Sequence, residues 1–186
     1  MKSVVVATSL AAVLATAPAM AQTGGQKSAG TEEKSFIEHV ARDNQAEVDL
    51  SRLAQQKAAS PQVKALAQRL AADHGKANQQ LAQIAQQEGV PVRPGVDKDK
   101  AALRARLETL NGPAFDRAFL QAQLQDHQRD IQYFQRETKS LKDPQLKSYA
   151  QQTLPVLQQH LQLVQQTKNQ VVGSGSSSSP AGTPSR

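Results

Sequence analysis

The sequence predicts an all-α protein, an antiparallel four-helix bundle in which a long connection carrying a short helix joins helices 2 and 3. Three observations carry that prediction. Ala and Gln dominate the composition while Gly and β-branched residues are sparse through the central region, a bias toward good helix formers. Apolar residues recur at spacings of three and four through four long stretches. Ser-Pro and Asp-Pro pairs, which cap and open helices, and Gly-Val-Pro and Asn-Gly breaks, which end them, punctuate those stretches.

Residues 1–21 read as a signal peptide. Lys2 supplies the positive end, Val4 to Ala15 is an apolar run too short to span a bilayer, and Ala19-Met20-Ala21 is a small-residue cleavage pattern. The mature chain is therefore expected to begin at Gln22 in the periplasm or another layer of the cell envelope, association with the outer membrane included. The sequence has no Cys, which removes lipid attachment, disulfides, thiolate metal ligands and a Cys nucleophile. No later segment reads as a transmembrane helix.

Residues 22–34 form a Gly, Ser and Lys-containing linker without periodicity. The bundle domain is expected over residues 35–172. Ser35 with Glu38 makes a capping box for a first helix to about Ala59. Ser60 caps and Pro61 opens a second helix, which Gly89-Val90-Pro91 stops. Residues 90–97 are loop, Asp97 caps a short helix over 98–110, and Asn111-Gly112 ends it. Pro113 opens a third long helix to about Ser140; Asp143-Pro144 caps and opens a fourth to about Val172. The short joints at Ser60 and Asp143 demand antiparallel hairpins. Residues 173–186 are a Gly, Ser and Pro tail.

Each helix carries polar residues on the stripe that faces the core. The first reads Phe36, Val40, Asp43, Glu47, Leu50, Ala54, and the second Val63, Ala67, Leu70, His74, Ala77, Leu81, Ile84. The third reads Leu120, Leu124, His127, Ile131, Phe134, and the fourth Leu146, Ala150, Thr153, Leu157, His160, Val164. At about 1.5 Å per residue, Glu47 and His74 lie about 19 and 21 Å from the first joint. His127 and His160 lie about 24 and 26 Å from the second. All four fall near mid-height, where an uncompensated charge costs several kcal/mol and pairing or a metal relieves it.

The expected site is mononuclear: His74, His127 and His160 as neutral imidazole ligands, with Glu47 as the anionic fourth, for Zn, Cu, Fe or Mn. Asp73 and Asp126, each preceding a stripe His, are expected to orient an imidazole of a neighbouring helix. Asp43, one turn before Glu47, is a further ligand or base, and Gly75 and Pro155 are read as making room. The bland alternative for each His is a hydrogen-bonded core residue, and for each Asp a surface ion pair with Arg69, Lys76 or Arg129. His39, with Asp43 one turn on, reads as a surface pair.

The balance of 22 Lys and Arg against 16 Asp and Glu suits weak contact with anionic envelope surfaces. Scattered basic residues, no Trp and 3% aromatics offer no platform for nucleic acid.

Taken together, Ala46-Glu47-Val48 with Leu50 and Leu53-Ala54, Val63-Lys64 through Ala67 to Asp73-His74, Phe115-Asp116, Asp126-His127, and Leu154-Pro155 followed by His160 resemble a known pattern. It is that of the domain-of-unknown-function family 4142, exported bacterial proteins called predicted outer-membrane proteins and placed with the ferritin-like bundles. The resemblance implies a ferritin-like fold and a metal or redox role. The di-iron pattern of such bundles places Glu three residues before His; here those positions hold Ala71, Leu124 and Leu157. Two functions follow as expectations: an envelope bundle binding one transition metal, or a metal-free structural or stress-related interaction protein. An acid-base enzyme without metal lacks a nucleophile and a phosphate-cradling Gly loop.

Overall fold

The structure, a computed structural model, describes residues 29–93 and 95–175. The stretch read as a signal peptide, most of the expected linker and most of the expected tail lie outside the described residues. Five helices make up the fold: α1 (Thr31–Lys57), α2 (Pro61–Gln87), α3 (Lys98–Glu108), α4 (Gly112–Ser140) and α5 (Pro144–Gly175). None of these is long and apolar enough to cross a membrane.

The capping box read from Ser35 and Glu38 does not start α1. The helix begins four residues earlier, with Gly30 as a cap that makes no side-chain bond. Glu32 and Glu33 in the first turn favour the positive end of the helix dipole. Glu33 also accepts a hydrogen bond from the Lys142 amide at 3.3 Å, which ties this end to the joint between α4 and α5. The other boundaries follow their signals more closely. Ser60 Oγ accepts from the Val63 amide at 3.4 Å ahead of Pro61. Asp143 Oδ1 accepts from the amides of Gln145 and Leu146 at 2.9 and 3.0 Å. Gly89 closes α2 at φ 66°, the left-handed region that glycine enters without a Cβ penalty. Asp97 stands at the cap position of α3, but its carboxylate receives Arg42 Nε at 3.0 Å instead of a helix amide.

The helices pack as two hairpins, α1 on α2 and α4 on α5, with α2 facing α5 and α1 facing α4. Buried Asp116, near the start of α4, accepts from the Ala59 and Ser60 amides at 3.0 and 2.8 Å. The joint of the first hairpin therefore sits beside the start of α4. At the opposite end the Phe36 ring meets Tyr133, Phe134 and Tyr149. The connection from α2 to α4 must then run the length of the bundle, and α3 lies on it against α1 and α4.

The apolar core comes in two parts. One gathers Phe36, Val40, Leu81, Phe134, Leu146 and Leu157; the other gathers Leu50, Val63, Leu70, Phe115, Phe119 and Val164. Between them on the helices lie buried Asn44, Glu47, His74, Gln123, Asp126, His127 and His160. The site occupies this polar belt.

Candidate metal centre

α2, α4 and α5 bring His74, His127 and His160 together. All three are buried, with ring centroids 5.3 to 5.6 Å apart. Each offers one ring nitrogen, and the three nitrogens lie within 4.8 Å of one another. Metal–nitrogen bonds of about 2.0–2.1 Å place three such nitrogens about 3.4 Å apart. His127 Nε2 and His160 Nδ1 are already 3.3 Å apart.

Hydrogen bonds to the outer nitrogens fix how the rings are protonated. His74 Nδ1 lies 2.9 Å from Asn44 Oδ1, and the Asn44 amide nitrogen donates to the Tyr149 hydroxyl at 3.2 Å, so the Asn44 oxygen faces the imidazole as acceptor. His127 Nδ1 donates to the Gln123 carbonyl at 3.0 Å. His160 Nε2 donates to Asp73 Oδ2 at 2.9 Å. Every outer nitrogen thus spends its proton on an oxygen. The inner nitrogens, His74 Nε2, His127 Nε2 and His160 Nδ1, are left with lone pairs turned to one another, and His74 Nε2 has no hydrogen-bond partner. Three facing lone pairs repel unless a proton or a cation lies among them. Burial acts against the proton. It drives His74 down to about 3, with Glu47 opposing and His127, His160 and Lys100 adding to the fall. Burial also lowers His160 against the pull of Asp73. The donor set fits a transition-metal ion: three neutral imidazoles, each oriented from behind.

Glu47 reaches the same belt but lies outside this group of three. Its Oε1 receives Lys100 Nζ at 2.8 Å and its Oε2 receives Gln123 Nε2 at 2.8 Å. Burial raises the Glu47 carboxyl, but Lys100, His74 and His127 outweigh that and hold it down to about 2. Lys100, from α3, also lies 3.0 Å from Asp43 and 3.2 Å from Asp126. Although burial penalises its charge, Glu47, Asp43 and Asp126 hold the ammonium well above the usual lysine range.

The three aspartates singled out by the sequence therefore divide. Asp73 meets an imidazole of a neighbouring helix, while Arg69 pairs with it from its own. Asp126 meets Lys100 and Arg129 and no imidazole, and Asp43 meets Lys100. The His39 ring packs on Tyr133 at 4.6 Å between centroids. Gly75 is not what makes room, since a Cβ there would meet only Val48 at an ordinary 4.0 Å. Pro155 lies on the exposed face of α5.

Asn44, Gln123, Lys100 and Asp130 are the site residues that sequence reasoning passed over. Asn44 and Gln123 carry a visible signal, each standing one helical turn before a stripe residue, Glu47 and His127. Lys100 starts a three-and-four spacing with Leu103 and Leu107 that marks the face α3 turns inward.

Several solved structures share the fold. A DUF305 fragment from Deinococcus radiodurans matches with a TM-score of 0.69 at 17% identity, over 77% of this chain and 99% of that one. CopM in the Cu(II)-bound form matches with a TM-score of 0.64 at 21% identity, over 74% and 96%. CopM in the Ag-bound form matches with a TM-score of 0.59 at 22% identity, over 72% and 93%. No curated protein gives a significant match. Residues 15–167 match the Domain of unknown function (DUF4142), and the chain belongs to that family.

Proposed function

We propose that this protein binds one transition-metal ion through His74 Nε2, His127 Nε2 and His160 Nδ1, and that the ion is copper. The observation that carries the reading is the convergence of three buried ring nitrogens whose outer partners are all occupied by oxygen acceptors. Imidazole donors suit Cu, Zn, Fe and Ni, and among divalent ions Cu(II) binds a given nitrogen site most tightly. Copper- and silver-bound forms of CopM, which share the fold, are a further reason to place copper ahead of zinc. Glu47 contributes as an anion beside the site, offsetting the metal's charge without leaving Lys100. The bundle is of the ferritin-like kind, and the leader-like residues 1–21 would deliver it to the cell envelope, where it would hold or buffer the ion.

Titration of untagged mature protein tests this. The wild type is expected to take up one equivalent of copper and to gain thermal stability with it. His127→Ala and His160→Ala should each lower the affinity at least 100-fold. Binding below a tenth of an equivalent, or full affinity in both variants, would reject the assignment and leave a metal-free scaffold.

A further inference from the structure

Beside the histidines, α3 presses a cation into a cage of carboxylates. Lys100 Nζ lies 2.8 Å from Glu47, 3.0 Å from Asp43 and 3.2 Å from Asp126, oxygens supplied by two different helices. A fourth acid, Asp130, faces the same group with a buried Oδ2 that has no hydrogen-bond partner. Three carboxylates thus contact one ammonium, while burial and the charges of Asp43 and Glu47 raise the neighbouring Asp130 carboxyl well above its ordinary range. Among the described residues the other cation in contact, Arg129 on Asp126, is largely exposed. Negative charge is in excess, which is the condition for holding a further or stronger cation.

The position of the cage gives it a role. A cleft of about 670 Å³ reaches it from solvent, and in its lining five aspartates, Asp43 and Asp126 among them, outnumber Lys100, Arg129 and Arg136. Behind the ammonium stands Glu47, fully buried, whose charge is felt by both His74 and His127. Another cleft at this level opens beside Asp73, where Arg69 and Lys76 outnumber that one acid and repel a metal cation. The helix that supplies Lys100 buries little: Leu107 is its only buried residue, with Leu103 partly so, and Arg42 and Lys57 hold its two ends from α1.

We propose that Asp43, Glu47, Asp126 and Asp130 form an entry vestibule for metal cations bound for the histidines, and that α3 gates it by seating the Lys100 ammonium there. The gate rests on the metal reading above, but the cation seat can be measured without it. An arriving divalent ion takes oxygen ligands in the cage and displaces the ammonium, and Lys100 returns once the ion has passed inward.

Stopped-flow copper uptake and melting with added Mn(II) test the proposal on three full-length mature proteins. Lys100→Gln should load copper at least tenfold faster than wild type. It should also melt several degrees higher in millimolar Mn(II), an oxygen-preferring ion, while the wild type stays within a degree. Leu103→Ala, which loosens α3 and keeps Lys100, should load faster with unchanged capacity. Wild-type loading rates in both variants, with no Mn(II) effect on Lys100→Gln, would overturn the vestibule while leaving the histidine centre standing. If Lys100→Gln does not fold in either condition, the loading rate of Leu103→Ala decides. Should the wild type bind no copper, the Mn(II) effect on Lys100→Gln still decides whether the cage is an exchangeable cation seat.

Discussion

At the scale of single residues the decisive feature is which nitrogen of each imidazole keeps its proton. Residue type and height are legible in the sequence: His74, His127 and His160 stand on core-facing stripes at matching levels. The partners that fix the rings are less so, because Asn44, Gln123 and Lys100 belong to residue types that usually face solvent. Glu47 could be placed in the belt but not assigned its partner, since Lys100 reaches it from an element 53 positions away. These environments predict how stability changes with pH. His74 and His160 titrate lower in the fold than their ordinary value of 6.5, so below that value the unfolded chain binds more protons than the native one. Stability without metal should be fully present above about pH 6.5 and fall as pH drops, by at most about 1.4 kcal/mol per pH unit for each group. For His74 the loss continues to about pH 3. Glu47, lowered to about 2, adds a loss of the same sign below its ordinary 4.5. Asp126 and Asp130, which burial raises, act in the opposite sense, so urea unfolding of metal-free wild type and His74→Ala is compared between pH 4 and 8. An identical slope in the two proteins would mean that the His74 imidazole is not held neutral.

At the scale of elements, helix limits were read well where a side chain makes a local bond and poorly where the tertiary structure decides. Ser60, Pro61 and Asp143 act within their own turns, so their signals sufficed. Ser35 and Glu38 offered the same kind of signal, yet α1 extends past them to Thr31, where Glu33 gains a partner across the bundle. The stripe of α4 shows a similar shift. Gln123 and Asp126 are buried while Leu124 and Ile131 are only partly so, which turns the inward face of α4 toward α1 and Lys100. Asp116 is the element-level lock, since one buried carboxylate satisfies two amides at the joint between α1 and α2. Asp116→Ala strands both amides and should cost about 2 kcal/mol, read as a lower denaturant midpoint with copper stoichiometry intact. A loss below about 0.5 kcal/mol would show that water replaces the carboxylate at no cost.

For the molecule as a whole, the polar belt divides the apolar core into an upper and a lower half. A core built for stability alone would fill that layer with aliphatic residues, because burying paired charges seldom gains over well-packed hydrophobic groups. Phe36 with Phe134 and Tyr149 at one end, and Phe115 with Phe119 at the other, hold the two halves together around it. Periodicity showed the bundle and the level of the belt, because both follow from spacing along single helices. It could not show how the belt splits into an imidazole group and a carboxylate cage. That depends on how α3 is laid across α1 and α4, and a long connection carries no periodic signal for its path.

The most direct test of this arrangement is nitrogen NMR of the three imidazoles in metal-free protein, repeated with one equivalent of Cu(I). We expect the proton on Nδ1 of His74 and His127 and on Nε2 of His160. Copper should then shift only the opposite nitrogens, Nε2, Nε2 and Nδ1. Rings that exchange between both protonation forms, or a metal that moves the outer nitrogens and leaves the inner ones unchanged, would contradict the account.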